Sequence, residues 1–288
     1  MDRNPPQKVT KILRQEVRFA CPVPDCGDPV LTWHHFDPPW CDKQHHNPEG
    51  MIALCISDHR RANGGNWTRS KLRSFKQNPP KPELIRKKFF WSDSTLLYRL
   101  GGNYAANCQY ILTISGQPII WHTISQEGRI LLSLDFRNEE DSQVLFIDEN
   151  SLSAEYCQIK DLSINTNENH LKIWIGKRKV GLELRLRHLL MDEFATQLDK
   201  DATRALSVLQ KLLPSNLVAT MPKPDVSFVL DFAEKECLNS DNKIAILDIL
   251  NATLFSRGKC VTIRDGIVTG SQFHFCFSFN NSGAAFSL

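Results

Sequence analysis

The apolar residues of this chain change rhythm near residue 78: before it they fall in short separated groups, after it mostly in alternating runs of strand length. Val9, Ile12, Leu13 and Val17 recur at helical spacing and predict a short helix beginning within residues 8–20. Pro22 and Pro24 then remove backbone donors between Cys21 and Cys26, which predicts a loop. Val30–Trp33 reads as a strand running into His34 and His35, and Pro38 and Pro39 break it. Met51–Leu54 is a second apolar run entering Cys55. Asp58–Ala62 turns helical until Asn63, Gly64 and Gly65 stop it. Thr68 is the expected N-cap of a basic helix, Arg69–Lys76, with Leu72 and Phe75 facing inward.

The proline-rich stretch from Asn78 to Pro82 predicts a linker, taken as 78–94. Beyond it, Tyr110–Ile114, Ile119–Thr123, Ile130–Phe136, Val144–Ile147, Leu171–Ile175 and Val180–Leu186 read as strands between polar turns. Met191–Leu213 carries a helical stripe, and Phe228–Leu238 and Ile244–Leu254 are expected to add two more helices. Cys260–Ile263 and Phe273–Phe279 return to strand. The expected class is α+β, with a small N-terminal module over 1–77 and a β-rich domain with helices over 95–288.

Composition narrows the class without identifying it. A hydrophobic fraction of 41% and a charged fraction of 23% are ordinary for a soluble globular protein. No apolar run reaches the roughly 18 residues of a membrane helix, and the N-terminus lacks the apolar core of a secretory signal. The chain is therefore expected to be cytoplasmic, with reduced or metal-bound cysteines. Net charge is +3, divided as +7 over residues 1–90 and −4 over the rest. A basic first third suits a polyanion such as nucleic acid.

Five of the nine histidines (34, 35, 45, 46, 59) and four of the nine cysteines (21, 26, 41, 55) crowd into the first 59 residues. Imidazoles and thiolates so close compete for protons unless a cation lies between them, so the stretch reads as a metal site. The ordered set resembles an HNH endonuclease module, the nuclease group built on a ββα-metal hairpin. Its residues are Cys21 and Cys26, Leu31–Trp40 with the His34-His35 pair, Asn47–Cys55, and His59, followed by Trp67, Thr68, Leu72, Arg73 and Lys76. The resemblance covers roughly residues 21–76.

That resemblance implies a division of labour. His34 and His59 would hold a divalent cation, Mg²⁺ or Mn²⁺, and His35 would be the general base for the attacking water. Neighbours on a strand point to opposite faces, so a kink near Asp37–Pro39 is expected to let both histidines serve one site. Cys21, Cys26 and Cys55 would bind a structural Zn²⁺. Asp58 is the favoured fourth ligand by position, with Cys41 and His45 as rivals. Arg60, Arg61 and His46 are the expected phosphate contacts, while Lys71, Arg73, Lys76, Lys87 and Lys88 supply an electrostatic track. The asparagine of the family name aligns with Gly50, and Asn47 and His46 are the candidates to take over its work of orienting the loop that bears the base.

The expected activity is hydrolysis of DNA, with RNA as the alternative substrate. The rival is a zinc-stabilised binding module whose catalytic site has degenerated. Residues 95–288 carry no motif for chemistry; target selection, partner binding or self-association are their expected uses. A nuclease module joined to an unrelated domain resembles bacterial anti-phage defence effectors in architecture alone.

Overall fold

A computed structural model describes residues 2–81, 84–91, 95–101, 103–106, 108–177, 179–212, 226–256, 259–264, 267–270 and 284–287. The class is α+β and strand-rich, as expected. Helix α1 (Gln7–Glu16) precedes strands β1 (Leu31–His35) and β2 (Met51–Cys55), helices α2 (Ile56–Asn63) and α3 (Arg69–Gln77), and strand β3 (Leu84–Lys88). Strands β4 (Leu97–Leu100), β5 (Asn103–Ala105), β6 (Tyr110–Ile114), β7 (Gln117–Ile124) and β8 (Ile130–Arg137) follow. Next come β9 (Gln143–Asp148), β10 (Ser151–Glu155), β11 (Asp161–Ile164), β12 (His170–Gly176) and β13 (Lys179–Leu189). Helices α4 (Met191–Leu212) and α5 (Ser227–Glu236) lead to β14 (Ile244–Ser256), β15 (Lys259–Arg264), β16 (Ile267–Gly270) and β17 (Ala284–Ser287). Among the described residues, no helix is long and apolar enough to cross a membrane.

The chain forms two compact units. The first comprises Met1–Phe90, Phe136–Asn138 and Ser142–Glu183. Within it β1 and β2 pair antiparallel, setting His34 opposite Ile52 and His35 opposite Met51. All five residues of β2 are buried, as a strand with helices packed around it requires. Leu13, Val17, Leu31, Leu72 and Phe75 close the core around Met51–Leu54.

The expected boundary at residue 77 and the 78–94 linker are corrected by this unit. Leu84–Lys88 is a strand, antiparallel to β10, which in turn pairs with β9. Arg14 on α1 donates to both carboxylate oxygens of Asp161 on β11, at 2.8 and 2.7 Å, with both residues buried. Lys87 pairs with Asp28 at 3.4 Å and Glu168 at 2.7 Å. The N-terminal module is therefore completed by chain more than sixty residues downstream.

The second unit comprises Trp91–Asp135, Glu139–Asp141 and Leu184–Leu288. There β7 pairs antiparallel with β6 and β8, while β17 lies parallel to β6. β14 pairs parallel with β4 and antiparallel with β15. The expected helix at Ile244–Leu254 is corrected: those residues are strand. Its near-continuous apolar run fits a doubly covered strand as well as a helix, and pairing on both sides decides between them. Phe273–Phe279, expected as strand, lies outside the described residues. Phe194 and Leu198 of α4 pack with Val229 and Ala233 of α5 against Leu97, Tyr104, Ile244 and Ile246.

A buried ionic group fastens α4 in place. Arg99 donates to both oxygens of Asp201, at 2.7 and 2.6 Å, and to Asp248 at 3.2 Å. Tyr104 donates its hydroxyl to Asp201 at 2.6 Å, and Arg187 donates to Asp248 at 2.6 Å. Removing one member strands the others without water. Asp201→Ala is expected to destabilise the protein by about 3–5 kcal/mol, read as a fall in the urea midpoint.

Candidate metal centre and histidine cleft

Two clusters of ligand-type side chains are built on the β1–β2 hairpin and α2. Cys21, Cys26, Cys55 and Asp58 place one ligand atom each within 4.8 Å of one another. Cys21 and Cys55 both reach Asp58 Oδ2 at 3.3 Å, and the sulfurs of Cys26 and Cys55 lie 3.6 Å apart. The cluster can hold a metal ion. Among the rivals for the fourth position, Cys41 is exposed with its thiol toward Asp42, and His45 bonds elsewhere. Neither belongs to this group.

Local structure explains the convergence. Cys55 ends β2 and is also the N-cap of α2, its sulfur accepting from Asp58 N at 3.4 Å. Negative charge on that sulfur meets the positive end of the helix. The neighbouring Cys21 thiol is the main reason the Cys55 thiol is drawn down to about 7, while burial opposes it. Burial alone would raise Asp58, but the Cys21 and Cys55 thiols donating to it hold its pKa below the ordinary value. Burial pushes Cys26 up to about 11. The Cys55 thiol and burial likewise push Cys21 well above the ordinary thiol value. Without a cation, the crowding in this small buried nest therefore keeps Cys21 and Cys26 protonated, and a bound cation would take the place of those protons.

In the second cluster, His34 and His59 meet edge to face with ring centroids 5.1 Å apart. Thr32 donates its hydroxyl to Leu54 O at 2.9 Å, so its only proton is committed. His59 Nδ1, 2.8 Å from the same oxygen, must therefore be the donor. Its Nε2 then carries a lone pair, is buried, and meets no partner. An imidazole oriented through one nitrogen with the other left bare is how proteins present a metal ligand. Burial, then the neighbouring His59 and His35, bring His34 down to about 4, while an Asn63 hydrogen bond opposes this. Burial also lowers His59. Both rings are neutral near pH 7, the form that binds metal.

His35 faces a different set: Trp40 at 4.7 Å, His45 at 5.2 Å and His46 at 5.8 Å between ring centroids. Burial and the His45 and His46 rings lower it to about 4, although the His45 carbonyl is close enough to oppose this. Neither ring nitrogen meets a partner at hydrogen-bonding geometry. His34 and His35 nevertheless line one cleft of about 370 Å³, with Arg3, Trp40, Asn63, Trp67 and Arg69 among its walls. The turn after His35 is made by Gly50, whose carbonyl accepts from both Phe36 N at 2.9 Å and Asp37 N at 3.1 Å.

Gly50 has no room for a side chain. A Cβ there would stand 1.9 Å from Asp37 O and 2.9 Å from His45 Cε1. Gly50→Asn, which restores the residue type expected from the family resemblance, should therefore damage the site. The obstacle is main chain, so the loss should reach or exceed the roughly 1–3 kcal/mol of ordinary overpacking. Thermal unfolding of the variant measures it.

Several expected substrate contacts are relocated. Arg60 and Arg61 line a separate depression beside Cys55, Asp28 and Glu168, not the histidine cleft. Arg61 pairs with Asp58 at 3.0 Å and thus serves the cysteine cluster. His46 does stand by the cleft, stacked on Trp40 at 5.5 Å and directed at Asp2 O at 3.0 Å. Lys76 is bound to the carbonyls of Pro48 and Met51, and Arg73 to Asp37, so part of the expected basic track is neutralised. Arg3 and Arg69 line the cleft itself, Arg69 lying 3.6 Å from Asp37 and 3.7 Å from Asp42. Helical phase explains the exchange: His59 and Asn63 are four residues apart and share a face, which Arg60 and Arg61 do not. No family model, curated protein or solved structure matches the chain.

Proposed function

We propose that the chain is a metal-dependent endonuclease of the HNH type that hydrolyses DNA phosphodiester bonds in the histidine cleft. The observation that carries this reading is the bare, buried Nε2 of an oriented His59 beside His34, with His35 lining the same cleft as His34. The order of strand, strand and helix around these residues supports it.

His34 and His59 would hold Mg²⁺ or Mn²⁺, which when bound supplies charge stabilisation at the phosphate and the departing 3′ oxygen. His35, neutral at working pH, accepts the proton of the attacking water. Arg3 draws the phosphate backbone to the cleft. Cys21, Cys26, Cys55 and Asp58 suit a structural Zn²⁺: tetrahedral bonds of about 2.3 Å put sulfurs about 3.8 Å apart, close to the 3.6 Å between Cys26 and Cys55. Held there, zinc ties the N-terminal loop to the junction of β2 and α2.

The test is incubation of the full chain with supercoiled plasmid, with Mg²⁺, Mn²⁺ or chelator. Nicked or linear product that requires the cation supports the reading; intact plasmid with both cations overturns it. A second reading, a non-catalytic zinc module, is favoured by the neutralised basic side chains Arg61, Arg73, Lys76 and Lys87. Metal analysis separates them: an enzyme takes up zinc plus an exchangeable cation, a binding module zinc alone.

A further inference from the structure

We propose that His45 is the positioning residue for His35, its imidazole stapling the two ends of the loop between β1 and β2 so that the His35 ring is held in the cleft. The proposal deepens the nuclease reading and rests on it. His45 Nε2 lies 2.9 Å from Pro38 O, and His45 Nδ1 accepts from Asn47 N at 3.1 Å. A carbonyl only accepts and an amide only donates, so these partners fix one tautomer: proton on Nε2, lone pair on Nδ1. One ring thereby joins Pro38, three residues past His35, to Asn47, four residues before β2.

Three observations tie this staple to His35. The His45 and His35 rings meet edge to face, at 87° and 5.2 Å. His35 has no hydrogen bond of its own through either nitrogen, so its orientation comes from the groups packed on it. Among its ring neighbours, His45 is bonded at both nitrogens, whereas His46 bonds only through Nε2, to the N-terminal segment. The bare Gly50 makes space for the staple, since a Cβ there would meet His45 Cε1 at 2.9 Å. Misplacing a catalytic side chain by about 1 Å can cost about 10²-fold in rate.

The test uses the full zinc-loaded chain. With ¹⁵N-labelled histidine, long-range ¹H–¹⁵N spectra should report His45 as the Nε2-protonated neutral tautomer. His45→Phe keeps a ring but loses both bonds, so the His35 ring signals should shift or broaden in it. In plasmid cleavage His45→Phe should lower kcat by up to about 10²-fold, leaving KM and zinc content unchanged. His45→Gln, able to donate to Pro38 O and accept from Asn47 N, should recover most of that loss. An Nδ1-protonated His45, unaltered His35 signals in the Phe variant, or a Gln variant no better than Phe would overturn the proposal. A wild-type chain that cuts nothing sinks the nuclease reading instead, and the spectra then decide the role of His45 alone.

Discussion

Replacing His35 with alanine is expected to slow plasmid cleavage by roughly 10²–10⁴-fold, the usual contribution of a positioned general base. Fold and zinc content should survive the change. His35 is buried but makes no hydrogen bond, so its removal strands no partner, and it lies at the opposite end of the hairpin from the cysteine nest. The variant should therefore keep its unfolding temperature within a few degrees and its full zinc content. His34→Ala and His59→Ala should behave differently, since they remove the groups proposed to hold the exchangeable cation. For those two, activity should fall together with Mn²⁺ affinity measured by calorimetry. Cleavage at the wild-type rate by a contaminant-free His35→Ala protein would refute the assignment of the base.

Stripping the zinc proposed for the cysteine cluster is expected to unfold the N-terminal part of the first unit. Zinc binding in small cysteine sites is worth roughly 10–16 kcal/mol, as large as the whole stability of an ordinary domain, about 5–15 kcal/mol. Without a cation, the buried Cys21, Cys55 and Asp58 compete for protons around a single carboxylate oxygen. Asp58→Ala should reduce zinc content and lower the unfolding temperature, whereas Cys41→Ala should leave both unchanged, because Cys41 stands outside the nest. Metal analysis and thermal unfolding after strong chelation are the measurements. A demetallated chain that melts like the native one would remove zinc from the structural account.

The parts of the site that were readable in advance are those whose chemistry is carried by neighbours in sequence. His34, His35 and the Cys55–His59 segment announce themselves because imidazole and thiolate are rare and costly to crowd. Arg60 and Arg61 were misplaced because adjacency on a helix does not say which face reaches the cleft, a turn of about 100° per residue away. Arg3 has no local pattern at all; the fold brings it to the cleft from thirty-one positions before His34. Leu84–Lys88 hid as a linker because prolines precede it and its residues are mostly charged, with only Ile85 fully buried. Its strand character comes from a partner at Ser151–Glu155. At Gly50 the resemblance leads one to expect an asparagine, while the reason for glycine, a carbonyl pressed against it, exists only in three dimensions.

The clasp between Arg14 and Asp161 has a consequence in time. A ribosome adding about 5–20 residues per second needs roughly 5–20 s to travel from residue 90 to residue 183, and throughout that interval Arg14 has been synthesised but its acidic partner is absent or still emerging. A nascent chain thus carries its histidines long before the scaffold that steadies them is finished. Protein synthesis itself delays the completion of this first unit until most of the polypeptide is made.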